Sequence, residues 1–317
     1  MRSRTRVSNG VRAHVRPSRA RKRQASLEVH SMKIAAYQAP LTGLGDVGTA
    51  VSLIRQQVER CEALGVQVLC CPEGVLGGLA DYADEPRAIA IDMKGGQLRE
   101  LLKPLSNRTV ATIIGFTEID QGSDRLYNSA AVWQDGSIVG VYRKVYPAIN
   151  RSVYDHGEEL PVFTVAGLTF GIVICNDSNY LEPARVMAHK GAAAIFIPTN
   201  NGLPASKGGP ELVRLARAID IARAVENSVS VVRADVVGCM GELECHGSSG
   251  IVDPDGNVLQ EAAVMEEALV VAEIDIAPRA KRRGWDSHRN PRVISQYLRT
   301  IHSTELLEPD AKTATET

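Results

Sequence analysis

Short blocks of apolar residues alternate with polar segments along most of the chain, and the blocks follow two different periods. Apolar residues recur at helical spacing over residues 47–64, which predicts an amphipathic helix, and the pattern predicts further helices near 181–190 and over roughly 210–227. Short apolar runs bounded by turn residues predict strands. The predicted strands begin at Met32 and continue at about 66–71, 110–117, 128–134, 137–143, 168–175, 193–198, 229–235 and 269–276.

The order of these elements repeats within the chain. Asp135-Gly136 and Pro254-Asp255-Gly256 each predict a tight hairpin, because Asp-Gly suits the two central positions of a hairpin turn. In the first half, the strand that ends in CCPEG is followed by another strand and then by the Asp135-Gly136 hairpin. In the second half, the strand that ends in IPTNNG is followed by another strand and then by the Pro254-Asp255-Gly256 hairpin. Two αββ halves that stack their sheets face to face, with helices outside, predict an α/β fold, a four-layer α-β-β-α sandwich, as a single domain over residues 32–303.

Three of the apolar runs end at a residue that can carry chemistry. Cys175 follows Leu168–Ile174, Glu73 follows an apolar run ending in Cys71-Pro72, and Lys144 follows Val139–Arg143. A thiol delivered to a polar turn suits a nucleophile. Most buried cysteines are nevertheless small core residues, and a glutamate or lysine taken alone is more often solvated at the surface. The residues by themselves leave both interpretations open.

Seven segments, taken in order, resemble the nitrilase (carbon–nitrogen hydrolase) superfamily, amidase-like branch, and they extend from about Met32 to about Tyr297. The segments read KIAAYQAP, VLCCPEG, YNSAAVWQDGSIVGVYRKVYP, GIVICNDSNYLEPAR, GAAAIFIPTNNG, ARAVENSVSVVRADVVG and GSSGIVDPDGNVL. The resemblance implies the four-layer fold, a catalytic triad of Glu73, Lys144 and Cys175, no cofactor and no metal. It also implies a small amide, N-carbamoyl compound or nitrile as the substrate.

The resemblance assigns a role to each member of the triad. Cys175 would attack the carbonyl carbon, and Glu73 would carry protons between the thiol, the leaving nitrogen and water. Lys144 would stabilise the oxyanion together with the main-chain N–H of Asn176. The residues expected to form the walls of the pocket are Tyr146, Asn150, Tyr154, Asn176, Asn200 and Asn201.

One departure from the family pattern concerns the segment after the lysine. Many relatives carry a second glutamate there, whereas residues 145–157 contain none, and Ala148 or Asn150 occupies the position. Either Asn150 is a neutral hydrogen-bonding substitute, or the rate is reduced, or the substrate is handled differently. If Asn150 is the substitute, the charge of Lys144 is less compensated, and we expect a preference for amides that carry a nearby carboxylate.

Composition limits the class of protein further. The chain has 317 residues, 44% of them hydrophobic, and no apolar stretch approaches the roughly 18–20 residues of a membrane helix, so we expect a soluble protein. Its six cysteines form neither a CxxC pair nor an evenly spaced framework, which favours a reducing, cytoplasmic location. Family members commonly associate, so the resemblance implies a homo-oligomer, a dimer or larger.

Charge is distributed unevenly along the chain. Residues 1–31 hold eight Arg and one Lys against one Glu, although the formal net charge of the whole chain is −1. This basic extension has no apolar h-region and is not a secretory signal. It could be a transit peptide, a nucleic-acid arm or sequence upstream of the true start, and we favour the last. Residues 304–317 are expected to form a polar C-terminal tail.

These observations lead to one main hypothesis and three alternatives. The main hypothesis is a cofactor-free cysteine hydrolase that cleaves a small linear amide or N-carbamoyl compound through a thioester. The alternatives are a nitrilase, a catalytically weak scaffold or binding protein of the same fold, and a nucleic-acid-associated protein. The acidic remainder of the chain and its 4% aromatic content argue against nucleic acid.

Overall fold

A computed structural model describes residues 31–148, 152–204 and 208–276, together with residues 292 and 296. The predicted basic extension over 1–30, the polar tail over 304–317 and Asn150 lie outside the described residues. The helices are α1 (Val47–Leu64), α2 (Gln97–Leu101), α3 (Leu181–His189) and α4 (Pro210–Asn227). The strands are β1 (Ser31–Pro40), β2 (Val68–Cys70), β3 (Ile91–Asp92), β4 (Ala111–Asp120), β5 (Arg125–Gln134), β6 (Ser137–Arg143), β7 (Val162–Val165), β8 (Leu168–Ile172), β9 (Ala194–Pro198), β10 (Leu203–Pro204), β11 (Ser230–Ala234), β12 (Val236–Met240), β13 (Leu243–His246), β14 (Gly250–Val252), β15 (Val258–Glu261) and β16 (Ala268–Asp275).

These strands form two sheets with a shared internal pattern. The first sheet has the order β10-β13-β12-β1-β2-β4-β5-β6, with β16 beside β1 and β3 beside β4, and the second has the order β15-β14-β11-β9-β8-β7. In the first sheet β1, β2 and β4 are parallel, and β5 and β6 follow antiparallel. In the second, β8, β9 and β11 are parallel, and β14 and β15 follow antiparallel. The repeat predicted from the sequence is therefore present.

Side chains of the first sheet alternate between two cores. Ile34 and Ala36 of β1 face the core shared with the second sheet, whereas Ala35 and Tyr37 face the core under α1. Cys70 at the end of β2 and Cys71 directly after it divide in the same way, because neighbouring residues of an extended chain point to opposite faces. Helices α3 and α4 cover the outer face of the second sheet. The predicted four-layer α-β-β-α sandwich is confirmed.

Helix α1 has the bounds that its periodicity predicts. The side chain of Asp46 accepts a hydrogen bond from the main-chain nitrogen of Thr49 at 3.1 Å, so the first turn has a side-chain cap. The buried face includes Ile54 and Val58, and burying an aliphatic side chain of this size contributes roughly 1.5–3 kcal/mol. This face fixes α1 on the first sheet, beside the strand that leads to Glu73.

The hairpin between β5 and β6 has the turn that its sequence predicts. Asp135 has a φ of 48° and Gly136 a φ of 74°, so both central residues are left-handed, as a two-residue turn between twisted strands requires. This hairpin sets the register of β6, at whose end Lys144 lies.

Several predicted bounds differ from the structure. The strand predicted over 168–175 ends at Ile172, because the chain turns there into a short 3₁₀ helix, Cys175–Asn179. The β12–β13 hairpin was not predicted, and the final strand is β16, which pairs antiparallel with β1. Within the described part of the chain, no helix has both the length and the apolar character needed to cross a membrane.

Candidate active site

Three separate strand ends bring Glu73, Lys144 and Cys175 to one cavity of about 250 Å³. Glu73 lies in the turn after β2, Lys144 directly follows β6, and Cys175 opens the 3₁₀ helix after β8. The first two belong to one sheet and the third to the other. The cavity therefore lies at the edge where the two sheets meet.

Glu73 and Lys144 form a buried ion pair. The Lys144 Nζ atom donates to Glu73 Oε1 at 2.6 Å, and only 3% and 2% of the two residues is exposed. Burial by itself lowers the pKa of Lys144, but the negative charges of nearby groups, Glu73 first and also Asp177, raise it more, so the pKa lies above its ordinary value. Lys144 is therefore a charged ammonium group at neutral pH.

The carboxylate of Glu73 is held on both oxygens. Oε1 also accepts from Asn128 Nδ2 at 2.8 Å, and Oε2 accepts from the main-chain nitrogen of Asn200 at 2.9 Å. The turn packs tightly on Gly115 of β4, where an added Cβ would lie 2.4 Å from the carbonyl oxygen of Pro72. Only glycine leaves room for this approach. The turn after β2 is thus fixed by contacts from three other segments.

Cys175 has a backbone conformation that few residues other than glycine adopt. Its φ is 45°, and such left-handed residues are under strain of order 1–3 kcal/mol. Burial raises the pKa of its thiol to about 12, the charge of Glu73 adds to the rise, and Lys144 and Arg233 oppose it. The Cys175 thiol is therefore protonated at neutral pH.

Asp177 holds the strained turn in place. Its Oδ2 accepts from Tyr142 Oη at 2.7 Å and from the nitrogen of Ile174 at 2.9 Å, and its Oδ1 accepts from the nitrogen of Tyr146 at 2.8 Å. Burial raises the pKa of Asp177 to about 6, although Lys144 and these donors act against the rise. One carboxylate thus ties the cysteine turn to the segment that carries Lys144.

Helix α4 fixes the other end of the same turn with polar side chains. Arg223 donates from Nε to the carbonyl oxygen of Ser178 at 2.9 Å and from Nη2 to that of Asn179 at 3.0 Å. Arg233 of β11, which lines the cavity, is paired with Asp220 at 2.6 Å and donates to Ser178 Oγ at 3.1 Å. Arg223 and Asp220 of α4 thus fix the cysteine turn and Arg233 with charged side chains that are themselves paired.

The expected pocket walls are found in part. Asn176, Asn200, Asn201 and Tyr154 all line the cavity. The Tyr154 Oη atom accepts from the nitrogen of Ala80 at 2.6 Å, which fixes this wall.

Asn201 is the expected wall residue with a contact to the nucleophile. Its Oδ1 lies 3.8 Å from the Sγ atom of Cys175, and its Nδ2 donates to Asp235 at 3.0 Å. Asp235 is itself buried and accepts from Ser248 Oγ at 2.6 Å, so the amide of Asn201 has a fixed orientation. Asn201 therefore presents its oxygen to the thiol.

Tyr146 is the exception among the expected walls. Its ring stacks on Tyr180 with centroids 4.0 Å apart, and it is not among the described residues that line the cavity. It acts on the site through its main chain, which bonds to Asp177 and accepts from Asn176 Nδ2 at 3.2 Å. The ring of Tyr146 therefore lies outside the described lining of the cavity, and its contact with substrate stays a prediction.

Sequence reasoning missed several charged or polar residues of the cavity, among them Asn128, Arg233 and Asp81. Asn128 and Arg233 lie inside motifs that resemble the family, and each interrupts an apolar strand, which is the signal that could have found them. Asp81 lies in a short 3₁₀ turn with no periodic pattern, so no comparable signal marks it.

Two sheets packed between helices, with a carboxylate, an ammonium group and a thiol at their common edge, define a class of hydrolase that works through a cysteine. Comparison with known proteins supplies the family. The carbon–nitrogen hydrolase family model matches residues 33–283. The chain belongs to this family, and it is an enzyme acting on carbon–nitrogen bonds other than peptide bonds.

Individual relatives agree with this assignment. The chain is 31% identical over 262 residues to an (R)-stereoselective amidase from Pseudomonas, covering 81% of this chain and 91% of the relative. It is 32% identical over 222 residues to a nitrilase from Pyrococcus abyssi, covering 69% and 80%. A crystal structure of a carbon–nitrogen hydrolase from Helicobacter pylori has the same fold, with a TM-score of 0.69, 22% identity and coverage of 78% of this chain and 90% of that one.

Proposed function

We propose that the enzyme hydrolyses a small linear amide or N-carbamoyl compound through a thioester on Cys175. The observation that carries this proposal is the meeting of Glu73, Lys144 and Cys175 in one cavity, with the Glu73–Lys144 contact at 2.6 Å. The cavity of about 250 Å³ lies below the roughly 300–1,000 Å³ of pockets for drug-sized ligands, which favours a small substrate. The similar amidase from Pseudomonas supports amides as the class.

Proton transfer from the thiol is the step that the geometry constrains most. With a pKa of about 12, free ionisation at pH 7 would cost roughly 7 kcal/mol, so the proton must move as the sulfur attacks. Glu73 Oε1 already accepts two hydrogen bonds, whereas Oε2 accepts one, from Asn200. We assign Oε2 as the atom that takes the proton.

The remaining steps follow from this assignment. Sγ bonds to the carbonyl carbon, the C=O electron pair moves to oxygen, and Lys144 with the N–H of Asn176 stabilises the charge that develops. Glu73 then gives its proton to the leaving nitrogen as the C–N bond breaks. Water attacks the thioester, its proton passes to Glu73, and the thiolate regains a proton as the acid leaves.

A nitrile is the second candidate substrate, supported by the similar nitrilase from Pyrococcus abyssi. The thiol would add to the nitrile carbon at the same site and give a thioimidate, which water would convert to the thioester with loss of ammonia. Both candidates release ammonia, so product analysis alone does not separate them.

The test is ammonia release from matched amides, N-carbamoyl amines and nitriles, compared with Cys175→Ala. We expect turnover of at least one carboxamide or carbamoyl compound in the wild type and none in the variant. Mass spectrometry of rapidly quenched enzyme should show the acyl group on the peptide that contains Cys175. Turnover of nitriles alone would select the second candidate, and no turnover in the whole panel would favour a binding protein of the same fold.

We also propose that the enzyme is a homo-oligomer in a reducing, cytoplasmic environment. Tyr180, Leu181 and Leu215 are large apolar residues with 43–51% exposure on and beside α3 and α4, which suits a subunit interface. All six cysteines are free thiols, which suits a reducing compartment. Light scattering after size-exclusion chromatography measures the oligomeric state, and a monomer at micromolar concentration would contradict the proposed homo-oligomer.

A further inference from the structure

Asp81 differs from the other charged residues that line the catalytic cavity. Its Oδ1 accepts from the nitrogen of Val153 at 2.8 Å and from Ser152 Oγ at 3.0 Å, and its Oδ2 lies 3.1 Å from the same hydroxyl. These partners are neutral. Within residues 31–148, 152–204 and 208–276, no lysine, arginine or histidine forms an ion pair with Asp81.

The other charges of the cavity cancel in pairs. Lys144 is matched by Glu73 at 2.6 Å, and Arg233 is matched by Asp220, also at 2.6 Å. Both pairs are buried and exchange further hydrogen bonds with their surroundings. Asp81 therefore places on one wall of the cavity a carboxylate that no cation among the described residues pairs with.

The charge of Asp81 influences the pKa of the same two tyrosines, Tyr82 and Tyr154, as the charge of Glu73. Burial raises the pKa of the Tyr82 hydroxyl to about 12, and the charges of Glu73 and Asp81 add to the rise. Burial likewise raises the pKa of Tyr154, and both carboxylates again contribute. A ligand that lies on Cys175 is consequently within electrostatic reach of Asp81.

An apolar surface completes the cavity. Aliphatic side chains from α4, from β10 and from the segment after β2 line it beside the polar groups, and they are Leu79, Leu203, Leu212, Leu215, Ala216 and Ile219. Leu215 is 51% exposed, so this surface extends to the mouth of the cavity. A substrate that fills the space must carry hydrocarbon next to its reactive group.

From these observations, and on the basis of the proposed amidase function, we propose that the substrate is a carboxamide with a protonated amine that pairs with Asp81. A short aliphatic or cyclic segment joins the amine to the carboxamide and packs on the apolar surface of α4. This is the reverse of the preference for anionic amides expected from the sequence. That expectation assumed an undercompensated Lys144, whereas Glu73 compensates its charge directly.

The test compares three amides of matched length in wild type and Asp81→Asn. They are δ-aminovaleramide, whose amine has a pKa near that of lysine, about 10.4, hexanamide, which is neutral, and adipamic acid, which is anionic. Asparagine keeps an oxygen that can accept from Ser152 and Val153, so the turn retains its bonds. Asp84→Asn is the matched control, because it removes the same charge from an exposed position three residues away that is not part of the cavity lining.

We expect Asp81→Asn to lower the ratio of kcat/KM for the cationic to the neutral amide by about tenfold, the size of a partly exposed charge pair of roughly 1.4 kcal/mol. In the same variant, the ratio of kcat/KM for the anionic to the neutral amide should rise. Asp84→Asn should change both ratios by less than about twofold. The wild-type preference for the cation should also weaken between low and high salt, because a partly exposed pair is screened.

The outcomes separate this proposal from the function on which it rests. Equal changes in kcat/KM for all three amides, or a wild-type preference for the anion, would overturn the role of Asp81 and leave the amidase function standing. No ammonia from any of the three, nor from a wider amide panel, would overturn the amidase function itself.

Discussion

Removing one partner of the Glu73–Lys144 pair should lower stability as well as activity. In Lys144→Met the carboxylate keeps its donors from Asn128 and Asn200 but loses the cation. In Glu73→Gln the ammonium group of Lys144 loses its counter-charge. The new amide NH₂ group then faces another donor, either the N–H of Asn200 or Asn128 Nδ2 and Lys144 Nζ. Both changes leave a buried charge or donor that the folded protein no longer satisfies.

The expected magnitude follows from burial. Breaking a buried ion pair by removing one partner costs about 3–5 kcal/mol, out of a total stability of roughly 5–15 kcal/mol for a folded domain. Both single variants should therefore fold at 25 °C with a reduced free energy of unfolding. The double variant Glu73→Gln/Lys144→Met removes both charges, so its loss should be smaller than the sum of the single losses by at least about 2 kcal/mol.

Urea unfolding at pH 7, followed by circular dichroism, measures the four free energies of this cycle. The control is Asp124→Asn, which breaks the exposed pair with Arg87, whose side chains are 76% and 52% exposed, and should cost no more than about 1 kcal/mol. All three site variants should lack amidase activity. A coupling energy below about 0.5 kcal/mol would refute the reasoning, because it would mean that the two side chains do not depend on each other.

Three further predictions concern single residues of the site. Cys175→Ser should lower kcat/KM by at least about 10³, and iodoacetamide should label Cys175 in a Cys239→Ser background, where the exposed thiol is absent; full activity in Cys175→Ala would contradict this. Because burial raises the pKa of Asp177 to about 6 from 3.8, the folded protein holds this proton more tightly than the unfolded chain. The stabilisation that comes from the protonated carboxyl group of Asp177 is present below about pH 4 and is lost as the pH rises through 6. The free energy of unfolding of the wild type should therefore fall by about 3 kcal/mol relative to that of Asp177→Asn over this range, and a constant difference would refute the prediction. Tyr154→Phe should cost about 1–3 kcal/mol in urea unfolding, since the N–H of Ala80 loses its acceptor, and an unchanged midpoint would show that water replaces the hydroxyl.

The parts of the fold with a strong local signal were predicted well. Helix α1 has the predicted bounds because its apolar period and the Asp46 cap agree, and the Asp135-Gly136 turn matches its hairpin. The β12–β13 hairpin was missed because its strands are short and partly exposed, and Cys239 points to solvent. The pairing of β16 with β1 was also missed, since no local pattern records a contact between the two ends of the domain.

The residues of the site likewise divide into those with a local sequence signal and those without one. The structure brings together the three residues that the sequence singled out, each of which follows an apolar run inside a segment that resembles the family. Asp177, which holds the cysteine turn, was not singled out as a site residue, because its partners lie on other segments. The contacts of Arg233 with Asp220 and of Asn201 with Asp235 join residues far apart in sequence, so only the folded chain reveals them. The role of Asn150 stays a prediction.

The path of the chain between the two sheets has a consequence for how the enzyme works. The chain passes from the first sheet to the second between β6 and β7, crosses to β10 of the first sheet and back between β9 and β11, and returns to the first sheet between β11 and β12. It passes over again between β13 and β14 and returns between β15 and β16. Because several connections join the two sheets, a hinge opening between them would have to move all of these connections together. We therefore expect Glu73 and Cys175, which follow strands of different sheets, to keep their relative positions when substrate binds. Substrate selection then falls to the side chains at the cavity mouth, and variants there can change what enters without disturbing the chemistry inside.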